Sequence, residues 1–408
     1  MKLTCIRCHK QQEQLYAPFC SDCGGLINPV YDMTSVTLKH SDNPYVRYSD
    51  LLPVNDSSLL PNDAIFTPVV HATRLGKLLG VPNLYLKNET VLNTGTTKYR
   101  MAAVSLAFLY ENGVKHFCTS STGNSSTAYA QLISNIPELN LSLFTAADFR
   151  YRVHFEPTDQ INHFILKDAT FSEAFEVAGL YAKNNGFTPE RGFFNPGRRE
   201  GLKLAYLEAV DQIPNPIDWY VQGVSSAMGV YGSFSGAKEL LQLGHIPYLP
   251  HLLCCQQDSC APMVKAWEED SEIIEARHIV KKPQGIAMAI LRGDPSKVYP
   301  YMRGIVKESA GNFARASEEK IRKARKLVFE EEGIDICYSA ATAVAGVMIA
   351  ANAKKIPASD TVLVNLTGRD QPVDAVVHGQ WLKKINGQWL PQPTNSPRSS
   401  GSHHFANQ

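Results

Sequence analysis

The sequence contains no apolar run approaching the length of a membrane span, and its start, MKLTCIRCHK, lacks the apolar core of a secretory signal. Neither a membrane partner nor an export route is therefore expected. It also lacks an excess of either charge. Forty Lys and Arg stand against 39 Asp and Glu, a net charge of +1. So balanced a surface offers no field for nucleic acid or an anionic bilayer. A disulfide framework is missing as well. Four of the nine cysteines crowd the N-terminus; Cys118, Cys254, Cys255, Cys260 and Cys337 lie scattered in apolar, strand-like contexts. That is a pattern of reduced thiols, and a cytoplasmic location is expected.

What is present is ordinary globular material. The chain has 408 residues, 44% apolar and 19% charged, enough for two or three domains with sizeable cores. At the N-terminus, Cys5 and Cys8 form one C-x-x-C knuckle, and Cys20 and Cys23 form a second after eleven intervening residues. Each knuckle offers two thiolates to one ion, and four thiolates close a tetrahedral structural zinc site. A set of buried or redox-active thiols would not explain the paired spacing. A ribbon of this kind also serves as a protein or nucleic-acid adaptor, and the near-neutral charge disfavours the second.

Beyond residue 66, strand-like and helix-like segments alternate. LYLKNE, HFCTS, LSLFTA, HFILKD, FFN, DWYVQG, HLLCCQ and TVLVNLTG read as strands. MAAVSLAFLY, TAYAQLI, SEAFEVAGLYAKNNG and GLKLAYLEAVDQI read as helices. Strands spaced by helices predict parallel sheets and an α/β fold. The tail PQPTNSPRSSGSHHFANQ is Pro/Ser-rich and is expected to be disordered.

Five places in this pattern could carry chemistry. Lys98, in NTGTTKYR (93–100), lies where a strand gives way to a helix, among Thr, Gly and Asn. A lysine fixed there suits Schiff-base chemistry, although for one lysine alone a solvated first-turn residue is the favoured reading. STGNSS (121–126) follows HFCTS and opens a helix, so its N–H groups and hydroxyls could hold an anion or simply cap the helix. The loop in VQGVSSAMG (221–229) is small enough for its backbone to approach a phosphate; a tight strand–helix turn reads the same way. It matches neither the Walker pattern nor G-x-G-x-x-G, so no triphosphate or dinucleotide is indicated. NLTGRD (365–370) places Thr367 at the carboxyl edge of the last strand, where ligands of open α/β sheets bind. Arg198, Arg199 and Lys203 in NPGRREGLK form a basic cluster that could recognise a phosphate or be a solvated helix face.

The order and spacing of these segments resemble the threonine synthase-like family of fold-type II pyridoxal-phosphate (PLP) enzymes, which includes cysteate synthase relatives. NTGTTKYR stands at that family's N-P-T-G-S-F-K-D-R, STGNSS at S-T-G-N-T-S, and NPGRREGLK at N-P-x-R-x-E-G-Q-K. IAMAILRGDP matches I-A-x-A-I-R-x-G-x-P, EEGIDICYSAATAVAG matches E-G-x-x-x-E-P-A-S-A-A-x-x-A-G, and NLTGRD aligns with the late T-G motif. The resemblance implies two parallel-sheet α/β domains of the tryptophan synthase β kind. Residues 33–95 and 190–385 would form the large PLP-binding domain and 96–189 the small one, between a zinc-ribbon-like segment (1–32) and a disordered tail (386–408).

It further implies that Lys98 carries PLP as a Schiff base and acts as the catalytic base. Asn124 would bond the ring's 3′-oxygen. Ser225, Ser226, Ala227, Met228 and Gly229 would hold its phosphate, and Thr367 would face the pyridine nitrogen. A neutral hydroxyl at that nitrogen makes the ring a weaker electron sink, which favours eliminations. Substrate contacts are expected from Thr96, Thr97, Ser121, Thr122 and Ser125. Arg100, Arg198, Arg199 and Lys203 are expected to meet a leaving phosphate. The implied activity is that of a PLP-dependent carbon–oxygen lyase acting on phosphates, converting O-phosphohomoserine to threonine and phosphate. A β-replacement on O-phosphoserine, and a non-catalytic PLP-binding or zinc-ribbon adaptor, are the alternatives. A small amino-acid substrate and a homodimer complete the expectation.

Departures from the family pattern gather at the presumed site: Thr96, Thr97 and Tyr99 around the lysine, Ser225 and Ser226 in the phosphate loop, and Ile336-Cys337-Tyr338 in place of E-P-A. Because Lys98, Asn124 and Thr367 all stand, these changes point to an altered substrate or reaction.

Overall fold

A computed structural model describes residues 1–12, 16–372 and 378–392. Its strands are β1 (Lys2–Cys5), β2 (Ile27–Val30), β3 (Val69–His71), β4 (Leu84–Asn88), β5 (His116–Ser120), β6 (Asn140–Ala146) and β7 (Ile161–Leu166). They continue as β8 (Thr188–Pro189), β9 (Trp219–Gly223), β10 (His251–Gln257), β11 (Asn312–Ala316), β12 (Val362–Leu366), β13 (Gln380–Ile385) and β14 (Gln388–Pro391).

β4, β9 and β12 are buried along their whole length, as apolar runs with helices on both faces must be. They form the middle of a six-stranded sheet in the order β11-β10-β9-β12-β4-β3, parallel except for β3. A second six-stranded sheet runs β14-β13-β7-β6-β5-β8, parallel except for β14. β1 and β2 make a separate antiparallel hairpin. The fold is thus two parallel-sheet α/β units plus an N-terminal ribbon. No helix among the described residues is long and apolar enough to cross a membrane.

Helices Lys98–Glu111, Pro196–Gln212 and Met228–Gln242 pack closely. A side chain on Gly201 would strike the Arg100 carbonyl at 2.3 Å, and one on Gly232 the Arg199 carbonyl at 2.2 Å. Only glycine permits that approach, which fixes the backbone of Lys98 against the second helix.

Three sequence expectations change here. FFN is a short helical turn, Gly192–Phe194, because Arg191 enters in the left-handed region and reverses the chain. β13, expected within the large unit, pairs with β7 of the second sheet through Gln380↔Phe164 to Leu382↔Leu166. Residues Gln388–Pro391 of the expected tail form β14, which pairs with β13 beside the buried Leu382. The rest of that tail, 393–408, lies outside the described residues.

Candidate active site

The carboxyl ends of β4, β9 and β12 face that of β5 across a cleft, the edge where open parallel sheets present ligand-binding loops. Lys98, Ser121, Thr122, Asn124, Ser125, Arg198, residues 225–229 and Thr367 line it, as do Thr96 and Thr97.

Backbone hydrogen bonds clamp three loops around Lys98. Thr97 N donates to Thr367 O at 2.9 Å, Arg369 N to Gly95 O at 3.0 Å, and Cys337 N to Gly368 O at 3.0 Å. Gly368 sits where a side chain would meet Thr96 Cγ2 at 2.6 Å and Gly95 O at 2.8 Å. This clamp brings Thr367 beside the lysine although 269 residues separate them in sequence. Burial, with the charge of Arg198 second, pushes the Lys98 amine down to about 8. An ammonium loses hydration there without a counterion to replace it, so the neutral, nucleophilic amine is favoured.

The neighbouring groups have open valences. Asn124 Oδ1 and Thr97 Oγ1 are buried without a hydrogen-bond partner. Between β9 and the helix Met228–Gln242, Ala227 adopts the left-handed conformation, and the N–H groups of 225–229 reach no protein acceptor among the described residues. Such a turn is a concavity for an anion. Ser121 is committed to its own loop: its Oγ accepts from Gly123 N at 3.1 Å and Ser126 N at 3.0 Å. Ser125 Oγ accepts from Arg198 Nη1 at 3.3 Å.

The basic residues separate. Arg198 reaches the cleft, but Glu190 grips it in a two-point ion pair, Nη2 to Oε2 at 2.6 Å. Arg100 does not reach it. Its guanidinium is buried between Glu89 (Nε to Oε2, 2.7 Å) and Glu208, which also binds Lys87 at 2.7 Å. Arg199 points the other way, bonding the carbonyls of Phe193 and Ile27 and docking the ribbon. Lys203 is buried between Glu200 and Glu239. The expectation that these three meet a leaving phosphate is corrected: each is already paired inside the scaffold. Sequence reading missed Arg292, which lines the cleft from an irregular segment with no periodic signal, and the aromatic wall of Phe171, Phe175 and Phe193.

A family model described as pyridoxal-phosphate dependent enzyme matches residues 62–368. The chain belongs to that family. Within this PLP-dependent enzyme family, threonine synthase of Methanocaldococcus jannaschii is 28% identical over 93% of this chain and 92% of its own. Cysteate synthase of Methanosarcina acetivorans is 26% identical over 90% and 91%. Among solved structures, the processed form of threonine deaminase isoform 2 from Solanum lycopersicum superposes with a TM-score of 0.63 at 18% identity, over 85% of this chain and 94% of that one. Serine racemase from Dictyostelium discoideum gives 0.59 at 21%, over 75% and 93%. The fold is accordingly that of a fold-type II PLP enzyme. A buried amine of lowered pKa, an asparagine amide on the cleft wall and an open turn of N–H groups are groups this cofactor requires.

In the ribbon, the Sγ atoms of Cys5, Cys8, Cys20 and Cys23 all lie within 4.8 Å of one another, with Cys5 to Cys23 at 3.5 Å and Cys8 to Cys20 at 3.6 Å. Four sulfurs about 2.3 Å from one ion stand roughly 3.8 Å apart in a tetrahedron. The group could therefore hold one metal ion.

Proposed function

We propose that this PLP-dependent enzyme eliminates or replaces an anionic leaving group, phosphate first among them, on an amino-acid substrate. In the finer reading it converts O-phosphohomoserine to threonine. The observation that carries the proposal is Lys98, a buried amine of lowered pKa in a cleft lined by three cations and, among the described residues, by no carboxylate. PLP, when bound, supplies the electron sink for bond breaking at the substrate α-carbon.

The chain's own groups do the rest. Lys98 would hold the cofactor and, once released from it, take the α-proton on Nζ and return it. Asn124 would bond the ring oxygen, the turn 225–229 the cofactor phosphate, and the Thr367 hydroxyl would meet the ring nitrogen. Thr122 and the amino end of the helix Asn124–Leu132 face the same cleft and suit the substrate carboxylate. Phe171, Phe175 and Phe193 exclude water from one wall.

The second reading, β-replacement on O-phosphoserine, is favoured by the similarity to cysteate synthase and by Cys337 standing at the cleft within the stretch that departs from the family's E-P-A. It needs only the α-proton removed, whereas the γ-route needs a further proton from the β-carbon. A structural zinc in the ribbon and a homodimeric assembly belong to the same proposal. The decisive assay is phosphate release from O-phosphohomoserine, O-phosphoserine and O-phosphothreonine, with products identified by mass. Threonine from the first supports the finer reading, release from the second alone supports the β-route, and release from none refutes a phosphate leaving group.

A further inference from the structure

The cleft is lined by three cations, Lys98, Arg198 and Arg292, and they are not equivalent. Lys98 is reserved for the cofactor. Arg198 is held in a two-point pair with Glu190, and further N–H groups go to Thr119 Oγ1 and Ser125 Oγ, both at 3.3 Å. Arg292 differs. Its Nε donates to the Asp294 carbonyl at 3.2 Å, and no carboxylate lies within ion-pair distance among the described residues. The Asp294 carboxylate is turned to its own loop, accepting from Ser296 N at 2.9 Å.

Arg292 is half-buried at the cleft, and partial burial pulls its pKa down, with Asp294 offsetting only part, so its guanidinium is short of a counter-charge. Proteins retain such a group where a ligand supplies the missing charge. The cofactor phosphate has another holder in the turn 225–229. Arg292 enters the cleft from a different segment than Lys98 and Arg198, which sit at the starts of two helices. It lies beyond Ile290 and Leu291, on the segment that packs against the start of the helix Tyr338–Asn352.

We propose that Arg292 is the recognition residue for the side-chain oxyanion of the substrate, and that it selects amino acids carrying a phosphate-like group over their uncharged counterparts. This rests on the reading of an anionic leaving group. Guanidinium and phosphate meet through parallel N–H···O bonds, so the preference depends on the fork and not on charge alone. A lysine in its place keeps the charge and loses the two-point geometry.

The test uses the PLP-loaded protein and follows its visible absorbance as ligand is added. The ligands are O-phosphohomoserine and O-phosphoserine against homoserine and serine. The proteins are wild type, Arg292→Gln and Arg292→Lys, with the PLP affinity of each measured by titrating the cofactor-free chain. Wild type is expected to bind the phosphorylated ligands more tightly. In Arg292→Gln that preference falls by about 10- to 100-fold, as loss of a charge-assisted pair implies, while binding of homoserine, serine and PLP stays within about twofold. Arg292→Lys recovers part of the preference. Phosphorylated ligands binding to Arg292→Gln as tightly as to wild type would overturn the assignment. So would a loss of PLP affinity equal to the loss of ligand affinity, which would make Arg292 a cofactor residue. A wild type with no preference for the phosphorylated ligands would instead refute the anionic-leaving-group reading itself.

Discussion

Replacing Arg100 by methionine separates a scaffold role from a substrate role. Arg100 lies almost wholly inside the protein, at 1% exposure, between two fully buried carboxylates, Glu89 and Glu208. Lys87, also buried, is the other cation of the group. Methionine fills much of the volume but leaves two carboxylates facing one ammonium. Breaking a buried pair from one side costs about 3–5 kcal/mol, because the orphaned charge stays desolvated. We expect urea unfolding, followed by far-UV circular dichroism, to shift by that amount. Substrate KM, measured on protein that remains folded, should change little, because Arg100 does not line the cleft. Adding Glu208→Gln should recover more than about 1 kcal/mol, since the two residues share one network. A variant that unfolds like wild type yet shows a raised KM would refute the reasoning and return Arg100 to the substrate.

Three further outcomes follow from the geometry. The Lys98 amine, held near 8 instead of 10.5, is protonated below that value, so capture of PLP by cofactor-free protein should quicken about tenfold per pH unit up to about pH 8 and then level off. Stopped-flow absorbance measures this; a rate still climbing past pH 10 contradicts the buried amine. Gly368→Ala pushes a methyl group against Thr96 and Gly95, so PLP affinity should fall while zinc content stays constant, as fluorescence titration and metal analysis will report. Cys5→Ser and Cys20→Ser should each abolish bound zinc and lower the melting temperature through the Arg199 contact to Ile27; unchanged metal stoichiometry sinks the ribbon assignment.

Much of this protein is written locally and could be read without coordinates. Alternating apolar strands and helices determine an α/β fold with parallel sheets, because a strand buried on both faces must be apolar throughout. The paired C-x-x-C knuckles bring four sulfurs together because each knuckle is a local turn. Lys98 stood out because a strand, a small-residue loop and a helix meet at it in sequence. Which basic residues face the cleft was not legible, and tertiary structure decided it. Successive residues on a helix point about 100° apart, so Arg198 and Arg199, adjacent in sequence, serve different surfaces. Lys203 was claimed by Glu239, which arrives from another helix. Arg292 falls at a variable position of the IAMAILRGDP segment, outside helix and strand, and only its placement in the cleft without a carboxylate gives it meaning. β13 and β14 likewise join the second sheet by a return across the fold that no local periodicity encodes. The sequence determined the elements and the lysine; long-range packing determined which charges were left unpaired to meet a ligand.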